Sequence, residues 1–404
     1  MVMNLSLAER SAPPPPLVRL DDDTRYDVHK QPRIIPLPTG TLALQVTRAD
    51  LDVDDLLDIA ARRNPKRGFS FMSRVICRQY PTRPRDARRV QNIVASRIPS
   101  NLPGPVVFVA MAEMAISFGQ GVHESYVRRT GRRDALFLHS TRFHLDKPIA
   151  VEFKEEHSHA SHHIMYLPED PDAKELLLNA RSLVLLDDEV TTGKTFVNLA
   201  RAFRGISSRI ENIVTGVIAD WRGKETTAHN AADLGLNYRS IAVLEGHYSF
   251  NPDPMLSRIV MPTVTGNGAP KDDVLVGQFG RLGLTVPLEI DRRITRRLGL
   301  RRNQRVLVLG TGEHSYVPFL IAEQLERDGC QAYCQATSRS PLMEYGPVRY
   351  ARTYRDNYGD GIENYLYNVD ASDYDRIIIC TETAATALDP ALVSDLNATV
   401  LEGL

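Results

Sequence analysis

The stretch Leu183-Val184-Leu185-Leu186-Asp187-Asp188-Glu189-Val190-Thr191-Thr192-Gly193-Lys194-Thr195 constrains the fold more than any other part of the chain. Four apolar residues in a row predict a short buried strand. Two carboxylates, Asp187 and Asp188, stand at its carboxyl end. A loop of hydroxyls and backbone amides follows, and a helix is expected from near Phe196. Backbone N–H groups and a helix N-terminus suit a phosphate. An acid pair can accept hydrogen bonds from vicinal sugar hydroxyls. Gly193-Lys194-Thr195 imitates the end of a Walker A loop, but that loop needs a glycine where Asp188 stands, so a nucleotide-triphosphatase loop is excluded. The plainer alternative is an ordinary strand-to-helix turn with Asp188 beside a helix cap.

The thirteen residues resemble the phosphoribosyl pyrophosphate (PRPP) binding motif of type I phosphoribosyltransferases: a hydrophobic strand, two acids, a hydrophobic pair, then Thr-Thr-Gly-x-Thr. Glu189 stands where an aliphatic residue is usual, and Lys194 where a small one is. The resemblance implies a PRPP cradle formed by Glu189, Val190, Thr191, Thr192, Gly193, Lys194 and Thr195. It also implies Asp187 and Asp188 as catalytic acids on the ribose hydroxyls or on Mg²⁺, directly or through its water.

The chain has 404 residues, which favours two domains. A formal net charge of −1 offers no global attraction for nucleic acid. Four cysteines in this length suit a reducing compartment. Cys330 and Cys334 read as small buried residues, since no second ligand pair stands nearby. With no cleavable apolar leader and no segment approaching ~20 apolar residues, a cytoplasmic protein without membrane contact is expected.

Residues 1–30, with Pro13 to Pro16, read as a flexible arm. Residues 31–250 read as one domain, 251–275 as a proline-rich linker, and 276–404 as a second domain. A strand is expected over 41–47 and an amphipathic helix over 54–63. After them Lys66 and Arg67 form a cationic lip or a solvated loop, and 77–88 read as a loop. Val106 to Ala110 predicts a strand followed by a turn at Ala112-Glu113. Small residues there let backbone approach pyrophosphate, while Glu113 could bind metal or orient an arginine. The tract from Phe153 to His163 concentrates histidine and reads as an active-site lid, a metal site or a solvated loop. Glu156, His157 and His159 are its catalytic candidates. Trp221, the only tryptophan, ends a strand over 213–219 and could stack on a base or simply cap the sheet.

In the second domain a strand over 305–309 leads into Gly310-Thr311-Gly312-Glu313 and a helix over 316–328. The glycine pattern is too incomplete for a dinucleotide site. A further strand ends in Thr337-Ser338-Arg339-Ser340-Pro341, where hydroxyls flanking an arginine suit an anion. Gly310, Glu313, Thr337, Ser338, Arg339 and Ser340 are therefore candidates for a second, separate strand-end crevice.

Thr337 to Pro341 resembles the signature of the TRSP domain, which follows a phosphoribosyltransferase-like domain in proteins of bacterial tellurium-resistance gene clusters. Asn64-Pro65-Lys66-Arg67, Ala112-Glu113, Glu155 to Ala160 and Tyr365-Leu366-Tyr367-Asn368 extend the resemblance. It implies an α/β fold: a type I phosphoribosyltransferase-like parallel sheet with flanking helices, plus a second α/β, Rossmann-like C-terminal domain. The implied activity is phosphoribosyl transfer from PRPP, with Mg²⁺, to a base-like or other small acceptor, in a homodimer. Lys66 and Arg67 join the PRPP site, as do Ala112 and Glu113. The competing expectation is a non-catalytic sensor or scaffold that binds PRPP or a nucleotide.

Overall fold

The computed structural model describes residues 31–154, 162–260, 262, 266, 268–273, 275 and 279–403. Its first part runs β1 (Arg33–Leu37), β2 (Gly40–Ala49), α1 (Val53–Leu56), β3 (Leu57–Ala61), β4 (Phe69–Ser73), α2 (Pro84–Arg97), β5 (Val106–Ala110), α3 (Ile116–Thr130) and β6 (Ala135–His139). It continues through β7 (Ile149–Lys154), β8 (His162–Tyr166), α4 (Pro171–Leu178), β9 (Ser182–Val190), α5 (Lys194–Ile206), β10 (Asn212–Asp220), α6 (Gly223–Leu234) and β11 (Asn237–Pro252). Seven of these strands form one sheet in the order β1-β2-β11-β10-β9-β5-β6. The central pairs are parallel, and β2 runs antiparallel to both its neighbours. Every residue of β5 and β6 is buried, so their apolar runs show no alternation, as expected with helices on both faces.

Two stretches fold otherwise than their local pattern suggests. The expected helix over 54–63 ends at Leu56, and Leu57–Ala61 pairs antiparallel with Phe69–Ser73. That pairing buries Leu57, Ile59, Ala60 and Ala61, which outweighs the helical spacing. The expected loop over 77–88 gives way at Pro84 to α2, with proline in its first turn. The helix hides Ala87, Val90, Ile93 and Val94. β11 is one long strand bulged at Glu245/Gly246. A Cβ on Gly246 would stand 2.5 Å from the Gln45 carbonyl oxygen, so the bulge requires glycine.

The rest of the chain carries α7 (Arg292–Arg297), β12 (Arg305–Gly310), α8 (Tyr316–Arg327), β13 (Gln331–Ala336), β14 (Ala351–Arg355), β15 (Glu363–Tyr367), β16 (Arg376–Thr381), α9 (Pro390–Asp395) and β17 (Thr399–Glu402). Four strands form a parallel sheet in the order β13-β12-β16-β17, and β14 and β15 pair antiparallel beside it.

The two sheets are joined by backbone. Phe137 of β6 exchanges two 2.9 Å hydrogen bonds with Leu284. Thr82 exchanges two with Cys334 of β13, at 2.9 and 2.8 Å. Beyond the end of β3, the Arg63 amide donates to the Pro341 carbonyl (3.0 Å) and the Met343 amide to that of Ala61 (2.8 Å). The hairpin β3–β4 thus gains a third segment from the far end of the chain. All four cysteines are buried and free. No helix among the described residues is long and apolar enough to cross a membrane.

Candidate active site

The loop after β9 is held from behind. Gly193 adopts φ 75°, and a Cβ there would lie 2.2 Å from Asn230 Oδ1, so only glycine fits both the turn and the contact. Asn230 Nδ2 donates to the Thr192 carbonyl at 3.3 Å. Asn230 Oδ1 accepts from Arg222 at 3.2 Å, and Arg222 forms a buried 2.6 Å ion pair with Asp220. From Lys194 the chain turns into α5, which buries Phe196, Val197, Leu199, Ala200 and Phe203. Among the described residues nothing accepts from the amides of Thr191, Thr192 and Gly193. Unspent amides at a helix start suit an anion. Gly193→Ala is expected to weaken binding of a phosphorylated sugar by about tenfold or more while the fold persists, as checked by calorimetric titration with ribose 5-phosphate.

One acid at the strand end is perturbed by its surroundings. Burial, and then the neighbouring Glu189 carboxylate, push the Asp188 carboxyl up to about 6. Its amide donates to Asp187 Oδ1 at 2.9 Å. Glu189 forms a 2.9 Å ion pair with Arg67. The Arg67 guanidinium lies over the rings of Phe69 (4.6 Å) and Phe71 (5.5 Å). An acid in place of an aliphatic residue at 189 therefore anchors the cationic lip.

Across the cavity lies the turn after β5. The Ala112 amide donates to Ser140 Oγ (2.9 Å), and its carbonyl accepts from Arg142 (3.2 Å). The Glu113 carbonyl accepts from Arg78, whose guanidinium is fully buried and also donates to the carbonyls of Gly312 and Thr337. The Ala112–Glu113 peptide is cis. The Glu113 carboxylate stands 3.5 Å from Arg78 and 3.8 Å from Arg339.

Between these walls is a cavity of about 240 Å³. It brings together Arg67, Ala112, Glu113, the whole run Asp187–Thr195, and Ser338, Arg339 and Ser340. The last three come from the second sheet's strand end, so they complete the first site rather than a separate crevice. Their partners in that expectation lie elsewhere. Glu313 is buried in an ion pair with Arg281 (3.0 Å) and accepts from Thr141 Oγ1 (2.6 Å). Thr337 accepts from the Gly312 amide at 3.0 Å, and Gly310 packs against the His314 carbonyl. Lys66 is exposed and off the cavity wall. Trp221 is also off it: the indole is buried and stacked on Phe71 at 4.3 Å, and Phe71 is the ring that reaches the cavity. A large ring at a strand end pointed to an aromatic wall, but one ring removed from the one exposed. Glu156, His157 and His159, and the arm 1–30, lie outside the described residues.

Among the lining residues that escape sequence reasoning are Arg62, Phe71, Gln79, Arg142 and Asn198. Arg142 follows strand β6 and carried a signal in its position at a strand's carboxyl end. Arg62, Phe71 and Gln79 depend on a hairpin that reads as helix and loop, so they carried none. Among the described residues no group of three or more His, Cys, Asp or Glu side chains could hold a metal ion.

The phosphoribosyl transferase family model matches residues 56–247, and the model of the TRSP domain, described as C-terminal to it, matches residues 281–396. Among solved structures, the chain is similar to the adenine phosphoribosyltransferase of Giardia lamblia complexed with 9-deazaadenine (16% identity, 41% of this chain, 81% of that one, TM-score 0.27). It is also similar to the adenine phosphoribosyl transferase of Trypanosoma brucei in complex with AMP, pyrophosphate and ribose-5-phosphate (9% identity, 39% and 64%, TM-score 0.27). A third is a phosphoribosyltransferase of Corynebacterium diphtheriae (17% identity, 39% and 78%, TM-score 0.25). No curated protein matches the chain. With the two models matched in tandem, residues 56–247 are similar to the phosphoribosyl transferase family and residues 281–396 to the TRSP domain that follows it.

Proposed function

We propose that the protein transfers the phosphoribosyl group of PRPP to a base-like or other small acceptor, forming an N-glycosidic bond and releasing pyrophosphate. The observation that carries this reading is the single cavity joining the acid pair and loop 187–195 to the Ala112–Glu113 turn. The amides of Thr191 to Gly193 and the start of α5 would take the 5′-phosphate. Asp187 and Asp188 would accept from the ribose hydroxyls. Ala112 and Glu113 would bound the pyrophosphate, and Arg67, Arg142 and Lys194 would offset its charge. The bond from C1 to pyrophosphate oxygen breaks, and a bond from C1 to acceptor nitrogen forms, through a transition state with oxocarbenium character.

The donor set fits Mg²⁺: only oxygen ligands are offered, from two adjacent carboxylates, which suits an ion held mainly by substrate oxygens and water. When bound it would neutralise the departing pyrophosphate. Enclosure by Arg339 and the hairpin β3–β4 would keep water from the cation; the lid proposed for Glu156, His157 and His159 would add to this. A homodimer working in a tellurium-resistance-linked metabolite pathway completes the reading and rests on the family resemblance alone, and a cytoplasmic location rests on the sequence reading.

The test is Mg²⁺-dependent binding of PRPP to the full chain, followed by pyrophosphate release with a panel of bases. Saturable binding with release supports transfer. Saturable binding without release from any acceptor favours a sensor and sinks the transferase reading.

A further inference from the structure

The wall of the cavity between the two domains carries polar groups that the protein itself leaves unmet. Arg62 Nε and Gln79 Oε1 are buried, line the cavity and have no hydrogen-bond partner among the described residues. The other arginines on this wall are engaged. Arg67 pairs with Glu189 (2.9 Å), Arg339 lies 3.4 Å from Asp360, and Arg142 donates to the Ala112 carbonyl. No carboxylate lies within ion-pair distance of Arg62 among the described residues. Burial and the nearby Arg67 cation push the Arg62 guanidinium down to about 10, which leaves it charged at neutral pH. A buried Nε with no acceptor is costly unless a ligand supplies one, even with the Glu189 and Asp188 carboxylates acting on the guanidinium from farther off.

Arg62 is also held in place. Its amide donates to the Gly68 carbonyl at 2.9 Å, and the residues on either side of it pair with Pro341 and Met343. Phe71 also reaches the cavity, its ring stacked on Trp221 at 17° and lying 5.5 Å from the Arg67 guanidinium. Within the proposed transfer, the 5′-phosphate and pyrophosphate are provided for by the loop after β9 and the turn after β5. The charge of Arg62 is left for the remaining reactant.

We infer that the acceptor is a planar ring compound bearing a carboxylate, which pairs with Arg62 while a ring N–H donates to Gln79 Oε1. The inference rests on the transferase reading above. Guanidinium and carboxylate form a two-pronged pair that an amide cannot reproduce. Replacing the acid by its neutral amide should therefore forfeit most of the affinity.

The test uses the full chain with ribose 5-phosphate and Mg²⁺ bound, titrated with the pyridone 6-hydroxynicotinate and with its neutral carboxamide. The acid is expected to bind about tenfold or more tightly than the amide. Arg62→Met should remove that advantage and leave ribose 5-phosphate binding within about twofold, while Arg62→Lys restores part of it. Equal binding of acid and amide to the wild type, or an undiminished preference in Arg62→Met, overturns the inference. Should Arg62→Met fail to fold, the wild-type comparison decides alone. Failure of ribose 5-phosphate to bind the wild type is a different result, because it overturns the reading of the site itself.

Discussion

Converting Asp187 and Asp188 together to asparagine is expected to cut pyrophosphate release from PRPP by about a hundredfold or more, because two acceptors that strengthen as charge develops on the ribose become poor ones. The same change should make the protein more stable near neutral pH. The Asp188 carboxyl titrates at about 6 in the fold, above its ordinary value, because it is buried beside Glu189. Between the ordinary carboxylate range and about 6 the folded chain holds a proton that the unfolded chain has lost, so stability falls as pH rises through that window. Asp188→Asn removes this penalty. Its melting temperature should exceed that of the wild type at pH 7.5 and converge with it at pH 4, as read by calorimetry. A lower melting temperature at pH 7.5 would mean that the carboxylate has a stabilising partner. Gain of stability with loss of turnover is what a residue kept for chemistry shows.

The largest effect on stability is expected at Arg281. Its guanidinium is 1% exposed and makes ion pairs with Glu382 (2.7 Å) and Glu313 (3.0 Å), both also sealed from water. Burial alone would raise both carboxyls, but Arg281 outweighs it and holds them below the usual carboxylate range. Depressed acids stabilise the fold above their unfolded values, and that stability is lost as pH falls through the folded ones. Arg281→Met strands two buried carboxylates and should cost about 3–5 kcal/mol, read as a lower urea midpoint. Its pH dependence should also reverse, with the variant losing stability as pH rises, since unpaired buried acids retain their protons. Adding Glu313→Gln and Glu382→Gln to Arg281→Met should recover much of the loss. A single variant as stable as the wild type would show that the cluster is solvated.

Much of the parallel sheet was legible because its strands are unbroken apolar runs: Val106 to Ala110 reads and folds as the same strand. The phosphate loop was legible because its residues are contiguous. The hairpin β3–β4 was not, since its strand pairing is nonlocal and a run of Leu and Ile suits either state. Ser338, Arg339 and Ser340 read as candidates at a strand end but not as members of the first cavity. Which strand end meets which is decided by contacts such as Arg63 with Pro341, nearly three hundred positions apart in sequence. Gln79 and Arg62 carry no local mark, because their significance is the lack of a partner, which only packing reveals.

That third segment on the hairpin has a consequence for biosynthesis. A nascent chain that has emerged only through β11 already holds Asp187 to Thr195, but Ser338 to Met343 are still to be translated. During translation the loop after β9 is therefore made before its facing wall, and a chain truncated after residue 330 would lack Ser338, Arg339 and Ser340 of the cavity. Completion of the cavity therefore waits on translation of its last wall residue, Ser340.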